Sequence, residues 1–76
     1  MTQQAKTNTS NQNYDLVSVL YHALEGAQTY STYAQDAQQQ GDQELSQFFQ
    51  QIQQQEQSRA QQAQQMLAKR LSQSGS

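Results

Sequence analysis

Residues Gln38-Gln39-Gln40-Gly41-Asp42-Gln43-Glu44-Leu45 divide this chain into two halves. Gly41 suits the end of a helix, because a residue without Cβ takes the left-handed backbone of a C-cap at no steric cost. Asp42 follows at once and offers a carboxylate to the free N–H groups of a new helix, with Glu44 beside the positive end of its dipole. A stop and a start in neighbouring positions leave a turn of one or two residues, so the flanking helices must run antiparallel. The fold class is all-α, an antiparallel two-helix hairpin.

Before the turn, apolar residues recur at Leu16, Val17, Leu20, Leu24, Ala27, Tyr30, Ala34 and Ala37, the three-and-four spacing of a helix face. Asn13 is placed to cap this helix and Asp15 falls in its first turn. After the turn the pattern resumes at Leu45, Phe48, Phe49, Ile52, Ala60, Ala63, Met66, Leu67 and Leu71, and Lys69 and Arg70 complement the negative helix end. The helical region is therefore 13–72, with helices over about 14–40 and 43–71. Residues 1–12 are almost wholly Thr, Gln, Asn and Ser, which bury too little apolar area to offset ordering entropy, and read as a disordered polar arm. Residues 73–76 read as a flexible tail. Glutamine dominates the polar positions; because the apolar period persists through it, it reads as a solvated helix face rather than an aggregating tract.

A chain of 76 residues without cysteine buries little on its own and has no disulfide to staple it, which leaves a metal, a ligand or self-association. The apolar face of the first helix favours the last. Leu16, Leu20, Ala27 and Ala34 form one edge, Val17, Leu24 and Ser31 another, and Tyr21 and Tyr33 widen it beyond what one helix covers. Two hairpins would make a four-helix bundle, with Ala23, Ala27, Ala34, Ala37, Ala60 and Ala63 permitting close approach, so a homodimer or higher homo-oligomer is expected. The four tyrosines, Tyr14, Tyr21, Tyr30 and Tyr33, read as recurring on one side of helix one.

Composition removes several functions. Four basic residues against six acidic ones, net −2, give no basic cluster for nucleic acid. No run approaches the roughly 20 apolar residues of a bilayer span, and the N-terminus lacks an apolar run of signal-peptide length, so no membrane role and a cytoplasmic location are expected. No nucleophile is paired with a base and no Gly-rich loop offers a phosphate site, which argues against hydrolase or transferase chemistry.

What remains is charge inside the apolar stripe of the second helix. The row 45, 49, 52, 56, 59, 63, 66 carries Glu56 and Arg59, so both are expected to face the bundle interior. With Asp42-Gln43-Glu44-Leu45 and Phe48-Phe49 in register before Glu56-Gln57-Ser58-Arg59-Ala60, this helix resembles the half-ferritins, particularly the encapsulated-ferritin type, whose pattern is Asp-x-Glu-Leu followed by Glu-x-x-His-Ala. It is also similar to the rubrerythrin group at Tyr30, Tyr33-Ala34, Ala37, Gly41 and Phe48-Phe49. The resemblance spans roughly 17–71 and implies a ferritin-like four-helix bundle in which a glutamate of the first helix and the Glu-x-x-His of the second bind iron, two chains completing a di-iron site.

Here arginine stands where that pattern has histidine, and guanidinium has no lone pair to give a metal. Glu56 and Arg59 are therefore expected to form a structural ion pair at i, i+3; pairing of Arg59 with Glu25 or Glu56 of a second chain would satisfy the same charges. Metal candidates are Glu25, Glu56 and His22. Glu25 lies one residue from the encapsulated-ferritin glutamate, a rotation of about 100°. The expected function is a non-catalytic assembly or interaction module, a self-associating hairpin with a degenerate metal site, no cofactor and a possible protein partner. The other reading is a divalent-metal (iron) binding or ferroxidase-type protein with a carboxylate site at the dimer interface.

Overall fold

The computed structural model describes residues 10–75, with side-chain surroundings described over 12–73. Two helices, α1 (Ser10–Gln39) and α2 (Gln43–Gly75), pack along their length as a hairpin. The turn is built as the sequence dictates. Gly41 takes φ 81°, and with it the Gly41 N–H donates to the Gln38 carbonyl at 3.0 Å while the Asp42 N–H donates to the Ala37 carbonyl at 2.9 Å. That pair of bonds satisfies the last carbonyls of α1. Asp42 Oδ1 accepts from the Leu45 N–H at 3.1 Å, capping α2, and Glu44 sits in its first turn. Three residues, 40–42, connect the helices rather than one or two.

The outer ends of both helices extend past their expected limits. α1 starts at Ser10, so Ser10, Asn11 and Gln12 belong to its first turn and not to an arm; Asn13 is interior and Asp15 lies beyond the first turn. α2 continues through Ser72 to Gly75, which removes Lys69 and Arg70 from the last turn. The physical reason is mutual support. Gln12, Asp15, Leu16, Met66 and Arg70 line one groove between the open ends, and Arg70 Nη1 donates to Gln12 Oε1 at 3.5 Å. Tertiary contact carries a helix past weak local stop signals. The rest of the expected arm, residues 1–9, and Ser76 of the expected tail lie outside the described residues.

Small residues form the most deeply buried part of the seam, with Leu16, Leu20, Tyr30, Phe49, Ile52 and Leu67 partly buried around them. Ala23, Ala27, Ala34 and Ala37 of α1 and Ala60 and Ala63 of α2 are buried, together with Ser46, whose hydroxyl donates to the Ala34 carbonyl at 3.0 Å and accepts from Gln50 Nε2 at 3.3 Å. Every large apolar side chain stays at least partly outside. Among the described residues none of them is fully buried, and Val17, Leu24, Tyr33, Leu45, Phe48 and Met66 are each exposed.

The hairpin has two unlike faces. On one, the three-and-four row Val19, Gly26, Tyr30, Tyr33 and Ala37 of α1 flanks the row Leu45, Phe48, Ile52, Arg59 and Met66 of α2. Ring contacts mark the same side: Tyr30 against Tyr33 at 5.7 Å, Tyr33 against Phe49 at 5.5 Å, and Phe48 against Phe49 at 5.8 Å. On the opposite face, Val17, Leu24 and Tyr21 of α1 lie beside a glutamine row of α2, Gln50, Gln57 and Gln64. The first face is apolar on both helices; the second is apolar on one.

Candidate functional site

Glu56 and Arg59 are one turn apart on α2, and Arg59 Nη1 donates to Glu56 Oε1 at 2.8 Å. The expected ion pair is present, but its members do not share the interior. The Glu56 side chain is 21% exposed and that of Arg59 54%. Arg59 falls on the flank of α2, where its long stem carries the charged head into water.

What half-buries Glu56 is a glycine. A Cβ built on Gly26 would lie 3.2 Å from Glu56 Cγ and 3.4 Å from Cδ, so Glu56 packs over the bare backbone of α1. A side chain at position 26 would contest the same volume. Gly26 keeps a helical φ and α1 runs unbroken through it, so no irregularity rotates its neighbour Glu25 toward Glu56.

Glu25 instead engages its own helix. It accepts from the Tyr21 hydroxyl at 3.0 Å through Oε2, and its Oε1 lies 3.9 Å from His22 Nδ1, with both His22 and Glu25 well exposed. The hydrogen bond to Glu25, then its negative charge and a little desolvation, hold the Tyr21 phenol above its ordinary value. His22 also meets the Tyr21 ring edge-on at 5.4 Å. Tyr14 and Tyr21 therefore occupy one side of α1 and Tyr30 and Tyr33 another, contrary to the single row expected.

One hairpin thus gathers the candidate ligands into two separate groups, Glu56 with Arg59 over Gly26, and Glu25 with His22 and Tyr21. Among the described residues no three His, Asp or Glu side chains converge on a point that could hold a metal. Within one chain the donor set does not fit an iron ion: a guanidinium already holds the Glu56 carboxylate, and Glu25 is turned away from it. Sequence reasoning found both charged residues and considered Gly26 only as a point of helix irregularity, missing that Glu56 packs on it, although its place three to four residues from Ala23 and Tyr30 on a helix face was a usable signal.

Near the turn the apolar face holds a shallow groove of about 340 Å³, lined by Tyr33, Asp36, Ala37, Gln40, Asp42, Leu45 and Phe49. No helix among the described residues is long and apolar enough to cross a membrane. Comparison with protein-family models, with curated proteins and with solved structures found no match.

Proposed function

We propose that this chain is an assembly module: a hairpin that associates with a second copy into a ferritin-like four-helix bundle, with an ion pair where such bundles hold iron. One observation carries the reading. Among the described residues the buried ones are alanines and one serine, while Val19, Leu45, Phe48, Tyr33 and Met66, all on one face, stay about half exposed. Burying such a side chain is worth about 1.5–3 kcal/mol, so roughly half of that for each of five remains to be gained, in total about the stability of a small domain. Association is the step that gains it.

The resemblance of the 42–60 segment to half-ferritins supports the bundle as the form of that association, and the Arg59–Glu56 bond supports a non-catalytic role for the position. Ferrous iron added anaerobically to chelator-stripped protein, with bound metal and subunit mass recorded together, tests the reading. A stable dimer that takes up no iron is expected. A dimer that binds one iron per chain or per dimer, and oxidises it faster than buffer does, overturns the non-catalytic role. A folded monomer overturns the assembly role.

A further inference from the structure

We infer that the second copy docks on the face bearing Tyr33, Phe48, Ile52 and Met66, and that Glu56 and Arg59 of the two copies meet there as a ring of two carboxylates and two guanidiniums on the two-fold axis. The inference rests on the assembly reading above and adds which face is covered and what sets its register.

The choice of face follows from its two flanks. Phe48 is 53% exposed and continues through Phe49 to Tyr33 and Tyr30 across both helices, whereas the opposite face pairs Val17 and Leu24 with the glutamine row of α2. The first face is also large enough. A layer two helices wide, each about 10 Å across, and 52 Å long exceeds the roughly 800 Å² per partner that a stable interface buries.

The register follows from where the charge sits. α2 runs from Gln43 to Gly75, so Arg59 is its middle residue, and Gly26, under Glu56, lies one to two residues past the middle of α1. Across the width, Glu56 stands over the helix–helix seam. The ion pair is therefore at the centre of the face in both directions. A closed two-fold pairing with full overlap brings the centre of a face against its own counterpart, whichever in-plane axis is used. Arg59 of one copy then reaches Glu56 of the other.

The hydrogen-bonding capacity left over in the pair fits this placement. Glu56 accepts one bond from Arg59 Nη1 and keeps acceptor capacity on its second oxygen, while the Arg59 fork has further N–H donors. Sharing them across the axis leaves no charge alone, and four alternating charges sum to zero. A slipped register would strand an arginine and a carboxylate against Phe48 or Met66 side chains, which is costly. The ring selects one alignment of two faces whose middle is otherwise apolar and whose ends carry Asp36 and Asp42 near the turn and Asp15 and Arg70 at the open end.

Two charge-reversed chains test this, Arg59→Glu and Glu56→Arg, each studied alone and mixed in equal amounts by native mass spectrometry, one chain carrying a mass tag. Alone, each places four like charges at the axis, and its dimer should weaken by about tenfold or more, the scale of losing a desolvated charge pair. Mixed, they restore two of each sign, and the heterodimer should dominate. Phe48→Gln should weaken the dimer and Leu24→Gln should leave it intact. If the parent is monomeric, the assembly reading itself fails. If the parent is dimeric but both reversed chains dimerise as it does, or the mixture shows no preference for the heterodimer, or Leu24→Gln rather than Phe48→Gln dissociates it, the docking face and the ring are wrong.

Discussion

Substituting Gly26 by alanine sets two effects of known direction against each other. In an exposed helix interior the change is worth about 0.8–1 kcal/mol of stabilisation, because glycine is the poorer helix former. At this position the new Cβ would lie 3.2 Å from Glu56 Cγ, an atom too near the α2 backbone to swing aside freely. Relief takes a shift of a few tenths of an ångström, which pushes Glu56 off its rotamer, about 0.5–1.5 kcal/mol, and strains its i, i+3 bond to the exposed Arg59, about 0.3–0.5 kcal/mol. The opposing terms sum to about 1–2 kcal/mol, so Gly26→Ala should be neutral or destabilising by up to about 1 kcal/mol. In a Glu56→Ala background the obstruction is gone and the same change should stabilise by nearly the full helix term. Thermal unfolding followed by circular dichroism, at one fixed protein concentration, measures all four chains. The coupling of about 1–2 kcal/mol corresponds to a difference of about 4–16 °C in how far Gly26→Ala moves Tm in the two backgrounds. An equal rise in Tm in both would refute the claim that Glu56 packs on the bare backbone of α1.

Asp42→Ala should cost about 1 kcal/mol through loss of the cap on the Leu45 N–H, seen as a lowered Tm. Gly41→Ala, at φ 81°, should cost a similar amount, about 1–2 kcal/mol, because a Cβ disfavours that backbone; a Tm at or above the parent's would contradict the turn. Ala60→Leu should overpack the alanine seam and destabilise by about 1–3 kcal/mol in urea unfolding. Tyr21 should ionise above the ordinary phenol value: the raised phenol means that the stability it adds is present below its unfolded value and is lost as pH rises through the folded one. Glu25→Gln should lower that ionisation in an alkaline absorbance titration, and an unchanged curve would sink the assignment.

The turn was legible in the sequence because its signals are local: a glycine, a carboxylate one residue later and an amide three beyond decide it without help from distant residues. The alanine rows were legible because residues three and four apart share a face, but they were expected where two hairpins meet and instead close the seam within one. The outer helix ends were not, because Asn13 and Ser72 are weak local signals overridden by contact between Gln12 and Arg70, 58 positions apart. The tyrosines were placed together by type rather than by angle. From Tyr21 to Tyr30 is nine residues, about two and a half turns, which puts them on opposite sides. At the site, the pairing of Glu56 with Arg59 followed from an i, i+3 spacing, whereas the depth of each group depended on Gly26, a residue whose role appears only when the two helices are laid together.

Diluting the protein from high to sub-micromolar concentration, with sedimentation mass and helical circular dichroism followed together, tests the assembly account most directly. A hairpin whose deepest seam is alanine and one serine should lose mass and helicity in step as the dimer dissociates. A monomer that keeps its full helicity across the whole range would contradict the account.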